Sequence, residues 1–71
     1  MEKVYVIKNN STGGYWEGKY LIRHDLAQCE GGVEWTTDRK RAATFPERDA
    51  VLICGGLKHC TIHQSILMEE L

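Results

Sequence analysis

The chain predicts a small α+β domain: an antiparallel sheet of three to four strands with two short helices on one face, in the order β-β-β-α-α-β. Three observations carry this. A β-branched and aromatic run opens the chain at Lys3-Val4-Tyr5-Val6-Ile7-Lys8. Two stretches in the second half carry helical caps and a helical apolar period. A last alternating run then offers a strand that can return beside the first.

The opening run is apolar on both faces, which predicts a central strand. Asn9-Asn10-Ser11-Thr12-Gly13-Gly14 is turn chemistry. A second strand follows from Tyr15 to Arg23, with Trp16, Gly18, Tyr20 and Ile22 on one face and Tyr15, Glu17, Lys19 and Leu21 on the other. The pair reads as a hairpin. The polar stretch from His24 to Gly32 reads as a loop, and Val33-Glu34-Trp35-Thr36 as a short third strand.

Thr37 or Asp38 can cap a first helix over roughly Asp38 to Thr44, with Ala42 and Ala43 turned inward. Phe45-Pro46 would end it, and Pro46 would open a second helix. Glu47 and Asp49 suit that helix's first turn. Ala50, Val51, Ile53, Cys54 and Leu57 form its apolar stripe, and Gly55-Gly56 is the expected stop. The last strand runs from Cys60 to Met68, with Cys60, Ile62, Gln64, Ile66 and Met68 on one face.

Seventy-one residues make one domain, residues 1–71. A chain of this size buries only about 60% of its unfolded surface, so each large core residue matters. Trp16 and Trp35 are expected in the core, together with Tyr20, Ile22 and Val33. Of the remaining aromatics, Tyr5 or Tyr15 is left for the surface, because only one face of the hairpin meets the helices.

Nine basic and ten acidic side chains give a net charge of −1. Duplex-binding domains carry a basic excess, which this chain lacks. The opening run follows Met1-Glu2 directly, with no signal-like or membrane-length apolar segment. A cytoplasmic protein is the expectation, and an odd count of three cysteines fits reduced thiols.

Cys29, Cys54, Cys60, His24, His59 and His63 are metal-ligand types. Their spacing argues against a zinc site, since there is no C-x-x-C and His59-Cys60 would point to opposite faces of a strand. Cys54 and Cys60 read as small core residues, reduced and metal-free. Neither Cys54, at the wrong end of its helix, nor Cys29, in a loop, has a sequence-level base to activate it. No catalytic residue, metal or cofactor is predicted.

Two surface clusters remain. Asp25, Glu30, Glu34 and Asp38 form an acidic segment without lysine or arginine, with Glu17 as a neighbour from the hairpin. Such a patch is steered towards proteins that hold nucleic acid in positive grooves. Arg39, Lys40 and Arg41 are the only basic cluster and the alternative site, for phosphate contact.

Three patches carry a resemblance: Val4-Tyr5-Val6-Ile7-Lys8-Asn9 with Gly14-Tyr15-Trp16, Trp35-Thr36-Thr37-Asp38 leading to Arg41-Ala42-Ala43-Thr44-Phe45, and Glu47-Arg48-Asp49-Ala50. Together they resemble small accessory proteins of bacteriophages and mobile elements, among them anti-CRISPR inhibitors. The resemblance covers most of the chain up to residue 54 and implies a fold, not a site. It implies a non-catalytic inhibitor that binds a host defence protein, such as a Cas effector. The alternative is a nucleic-acid-binding accessory protein using the basic cluster.

Overall fold

A computed structural model describes residues 3–12, 17–23, 33–59 and 63–71, and of Arg23 the backbone only. The opening run forms β1, Val4–Asn9. It is followed by β2, Lys19–Arg23, and β3, Glu34–Thr36. A single 3-10 turn, Arg39–Arg41, leads to the two-residue β4, Phe45–Pro46. The helix α1, Glu47–His59, and the last strand β5, Ile66–Glu70, complete the described elements.

All pairings are antiparallel, and β1 is central. β5 pairs with β1 from Tyr5↔Glu70 to Asn9↔Ile66. A strand has only two edges, so β2 and β4 share the other one. β2 takes its end at Lys8 and Asn9, and β4 takes its start at Val4 and Tyr5. β3 lies outside β2, in a five-stranded sheet. The apolar character of both faces of β1 follows from this position: Val6 and Ile7 are adjacent, point to opposite faces, and are both fully buried.

The core lies between α1 and one face of the sheet. Ile7, Leu21, Val33, Trp35 and Ile66 meet Ile53, Cys54 and Leu57 of α1, with Phe45 and Met68 packed against them. Burial of each large apolar side chain contributes about 1.5–3 kcal/mol.

Several elements depart from the sequence expectation. The helix expected over Asp38 to Thr44 is only one 3-10 turn. The Asp38 carboxylate accepts from Lys40 N at 2.9 Å, and Arg41 N and Ala42 N donate to the carbonyls of Asp38 and Arg39. Ala42 is then extended, and Ala43 N donates to Leu21 O at 3.0 Å. Backbone bonding to β2 therefore replaces a second helical turn. Phe45 and Pro46 belong to β4, and the helix starts at Glu47. The α+β class and the antiparallel sheet are as expected; among the described residues the sheet has five strands, the two-residue β4 included, and one α-helix accompanies it in place of two.

The helix does not stop at Gly55-Gly56 but runs on to His59. Two interior glycines cost about 1 kcal/mol each relative to alanine. Leu57 lies beyond them and is fully buried; its burial and the complement of Lys58 and His59 to the helix dipole offset that cost. Val51, placed in the apolar stripe by period, is 54% exposed. The buried stripe is Ala50, Ile53, Cys54 and Leu57.

The face of β2 is also reversed. Leu21, expected outside, is fully buried opposite Trp35, while Tyr20 and Ile22 are half-buried on the other face. Pairing fixes this, since Leu21 must share the face of Trp35. Trp35 is buried as expected; Trp16, Tyr15, Cys29 and Cys60 lie outside the described residues. Tyr5 is half-buried. The last strand is shorter at its start than expected: Ile66 and Met68 do face the core, but His63, Gln64 and Ser65 precede β5.

Candidate functional site on the outer face of the sheet

Helix α1 covers one face of the sheet. The opposite face carries the even-numbered residues of β1 and their partners on β5. Leu71 N donates to Val4 O at 2.9 Å, so Val4 lies opposite Leu71. Val6 then pairs with Glu69, and Lys8 with Leu67. Val4, Leu67 and Leu71 are 39%, 38% and 53% exposed. Across β1, Tyr20 faces Lys8, whose ammonium stands 5.6 Å from the ring centroid, within cation–π range. Two exposed apolar spots, Val4 with Leu71 and Leu67 beside Lys8, thus stand on the ladder with Glu69 between them.

Arg39 organises this surface. Its Nε lies 3.6 Å from Glu69 Oε1, and its Nη2 donates to the Glu70 carbonyl at 3.2 Å. The side chain thus ties the segment beside β2 to β5, on the face where Val6 is fully buried. The stem of an arginine can cover apolar surface while its guanidinium stays wet. Lys3 and Glu70 form a second pair at 4.0 Å, both more than half exposed, which contributes little.

This changes the meaning of the basic cluster. Arg39 is engaged with β5, while Lys40 and Arg41 are exposed. Of the acidic residues, Glu17 sits exposed in the turn before β2, and Glu34 is exposed on β3. Asp38 is exposed, but its carboxylate caps the 3-10 turn. Asp25 and Glu30 lie outside the described residues. No acidic cluster is therefore assembled by the described part of the chain.

Sequence reasoning missed a buried polar latch at the far end of β1. The Asn9 side-chain oxygen accepts from Ser11 N at 2.8 Å. Its amide nitrogen must then face His63 Nδ1, 3.0 Å away, and donate to it. Nδ1 is the acceptor of that contact. Ser65 N donates to Ser11 Oγ at 2.9 Å, and Asn10 N to Ser65 O at 2.8 Å. His63 also packs against Trp35, the ring planes tilted at 50° and the centroids 5.7 Å apart. Asn9, Ser11 and His63 are all buried. The latch joins residues far apart in sequence, and so left no local signal beyond turn-forming residue types.

Cys54 is buried in the core. Burial pushes its thiol pKa above the ordinary 9.0, against a smaller lowering by Lys58. A second, shallower feature lies on the other side of the molecule: a groove of about 270 Å³ lined by Phe45, Asp49, Leu52 and Ile53. Among the described residues, no helix is long and apolar enough to cross a membrane.

No protein-family model, curated protein or solved structure matches this chain.

Proposed function

We propose that this chain is a non-catalytic binding protein that docks its outer sheet face on a host protein in the bacterial cytoplasm. The reading is supported by one observation above all: Val4, Leu67 and Leu71 are exposed together on the β1–β5 ladder, on the face that α1 leaves uncovered. Exposed apolar side chains interspersed with charge have the make-up of a protein interface. Here Lys8, Tyr20, Arg39 and Glu69 stand among them.

The sequence resemblance directs the partner towards a CRISPR effector, with the chain acting as a phage-type inhibitor. The test uses purified effector complexes and target duplex. The chain should reduce target binding, and Leu67→Glu with Leu71→Glu should remove that inhibition at unchanged melting temperature. Truncating or charging a central interface residue typically costs about 2 kcal/mol or more of binding, roughly a thirtyfold loss or greater. An inhibitor that tolerates both changes would place the interface elsewhere. The acidic reading, with Glu17, Asp25, Glu30, Glu34 and Asp38, is tested beside it by Glu30→Lys and Glu34→Lys.

A nucleic-acid-binding role is the second reading, favoured by the exposure of Lys40 and Arg41. It expects salt-dependent binding to nonspecific DNA that Lys40→Glu and Arg41→Glu weaken.

A further inference from the structure

We infer that the exposed face of α1 is a self-association surface, and that its occupant is a second copy of this chain packed antiparallel across a two-fold axis beside Leu52. This is independent of the outer-face reading, since α1 lies on the opposite side of the sheet.

The buried stripe of α1 is Ala50, Ile53, Cys54 and Leu57. At about 100° per residue, the line opposite runs through Arg48, Leu52, Gly55 and His59, with Val51 beside it. An exposed helix line of this kind is ordinarily polar. Here Leu52 is 65% and Val51 54% exposed, the two most exposed large apolar side chains among the described residues. One turn further on is Gly55, where an added Cβ would meet nothing within 4 Å. Leu52 also rims the groove formed with Phe45, Asp49 and Ile53. The projecting Leu52 side chain and the bare position at Gly55 therefore stand side by side on one helix face.

Such a pair is self-complementary only in one arrangement. In an antiparallel copy related by a two-fold axis, Leu52 of each chain lies over the partner's Gly55 and against the partner's Leu52. An interface of this type uses one patch twice.

Charge selects the same arrangement. The helix carries Glu47 in its first turn and Lys58 in its last. Eleven residues are close to three whole turns, so the two lie on one flank. The two-fold axis sets each flank against the same flank of the other copy. Glu47 then meets the partner's Lys58, and Lys58 meets the partner's Glu47. Parallel packing would instead turn that flank away from its counterpart, part Glu47 from the partner's Lys58, and align the helix dipoles unfavourably.

The helix is only about 20 Å long, which is short for an interface of about 800 Å² per partner. The association is accordingly weak, with a Kd on the order of tens of micromolar.

Sedimentation equilibrium of the full chain from about 5 to about 500 µM tests this. The parent chain should pass from monomer to dimer over that range. Leu52→Glu should raise Kd at least about twentyfold, with the melting temperature at low concentration showing that it folds. Lys58→Glu should weaken the dimer, and the swap Glu47→Lys with Lys58→Glu should restore it. Residues eleven apart on one helix cannot pair with each other, so that rescue reads an intermolecular contact. A parent chain that stays monomeric throughout, a Leu52→Glu variant that still dimerises, or a charge swap no better than the single reversal would each overturn the proposal.

Discussion

Asn9 does more at the residue scale than its place at a strand end predicts. Its amide satisfies a backbone donor on one side and a buried imidazole on the other. Replacing it with alanine leaves Ser11 N and His63 Nδ1 without those bonds in a dry site. Asn9→Ala should therefore cost about 1–3 kcal/mol, read as a lower denaturant midpoint at unchanged slope.

Cys54 provides a second residue-scale test. Burial raises its pKa, with the weaker influence of Lys58 opposing, so the thiol stays protonated through neutral pH. Because its folded pKa is raised, the preference for the protonated form is fully present below the unfolded value. That stability is lost as pH rises from there through the folded value. Alkylation at Cys54, followed peptide by peptide, should be much slower in the folded chain than in denaturant. Thermal stability should also decline once pH exceeds about 9. Alkylation at equal rates in both states would show the thiol to be accessible.

At the element scale, the sequence was most readable where one periodicity had one cause. Strand β3 follows alternation, β1 is a β-branched run apolar on both faces, and the core stripe of α1 follows a 3.6-residue period with Val51 as the exception. The errors fall where a long-range pairing decided. Leu21 and Tyr20 are both plausible core residues by alternation, and only the register against Trp35 separates them. Ala42-Ala43-Thr44 reads as helix locally, but a backbone bond to Leu21 holds it extended. Gly55-Gly56 reads as a stop because glycine weakens helices, yet Leu57 beyond it is needed in the core. The intrinsic cost of glycine remains and can be recovered. Gly55 is helical and meets no neighbour, so Gly55→Ala should stabilise the chain by about 0.5–1 kcal/mol, measured below 5 µM, where by the tens-of-micromolar Kd above the chain is mainly monomer. A destabilised variant would mean that the backbone there is strained in a way its geometry does not express.

For the whole molecule, the sheet is asymmetric among the described residues: α1 packs on one face, and the Arg39 side chain reaches β5 from the other. The candidate site was only partly readable for this reason. Arg39, Lys40 and Arg41 are equivalent in sequence, as three adjacent cations that imply a solvated face or a phosphate contact. Only the third dimension brings Glu69 and the Glu70 carbonyl beneath the first of them. Likewise Leu67 and Leu71 are separated from Val4 by almost the whole chain, and come onto one face with it only when β5 returns to β1.

The three cations should therefore behave differently on mutation. Arg39→Ala removes a partly exposed ion pair, a bond to a carbonyl and a stem on the face where Val6 is buried. The ion pair alone is worth about 0–1 kcal/mol after solvent screening, and the loss of the stem adds to it. Arg39→Ala should cost about 1–2 kcal/mol, and Arg39→Lys should recover only part, because an ammonium cannot serve Glu69 and the Glu70 carbonyl with a planar fork. Lys40→Ala and Arg41→Ala, at exposed positions, should stay within about 0.5 kcal/mol of the parent. High salt should shrink the Arg39 effect but not abolish it, since only its ionic part is screened. If all three alanine variants melt together, Arg39 does not hold the 3-10 segment against β5, and the basic cluster is a solvated surface throughout.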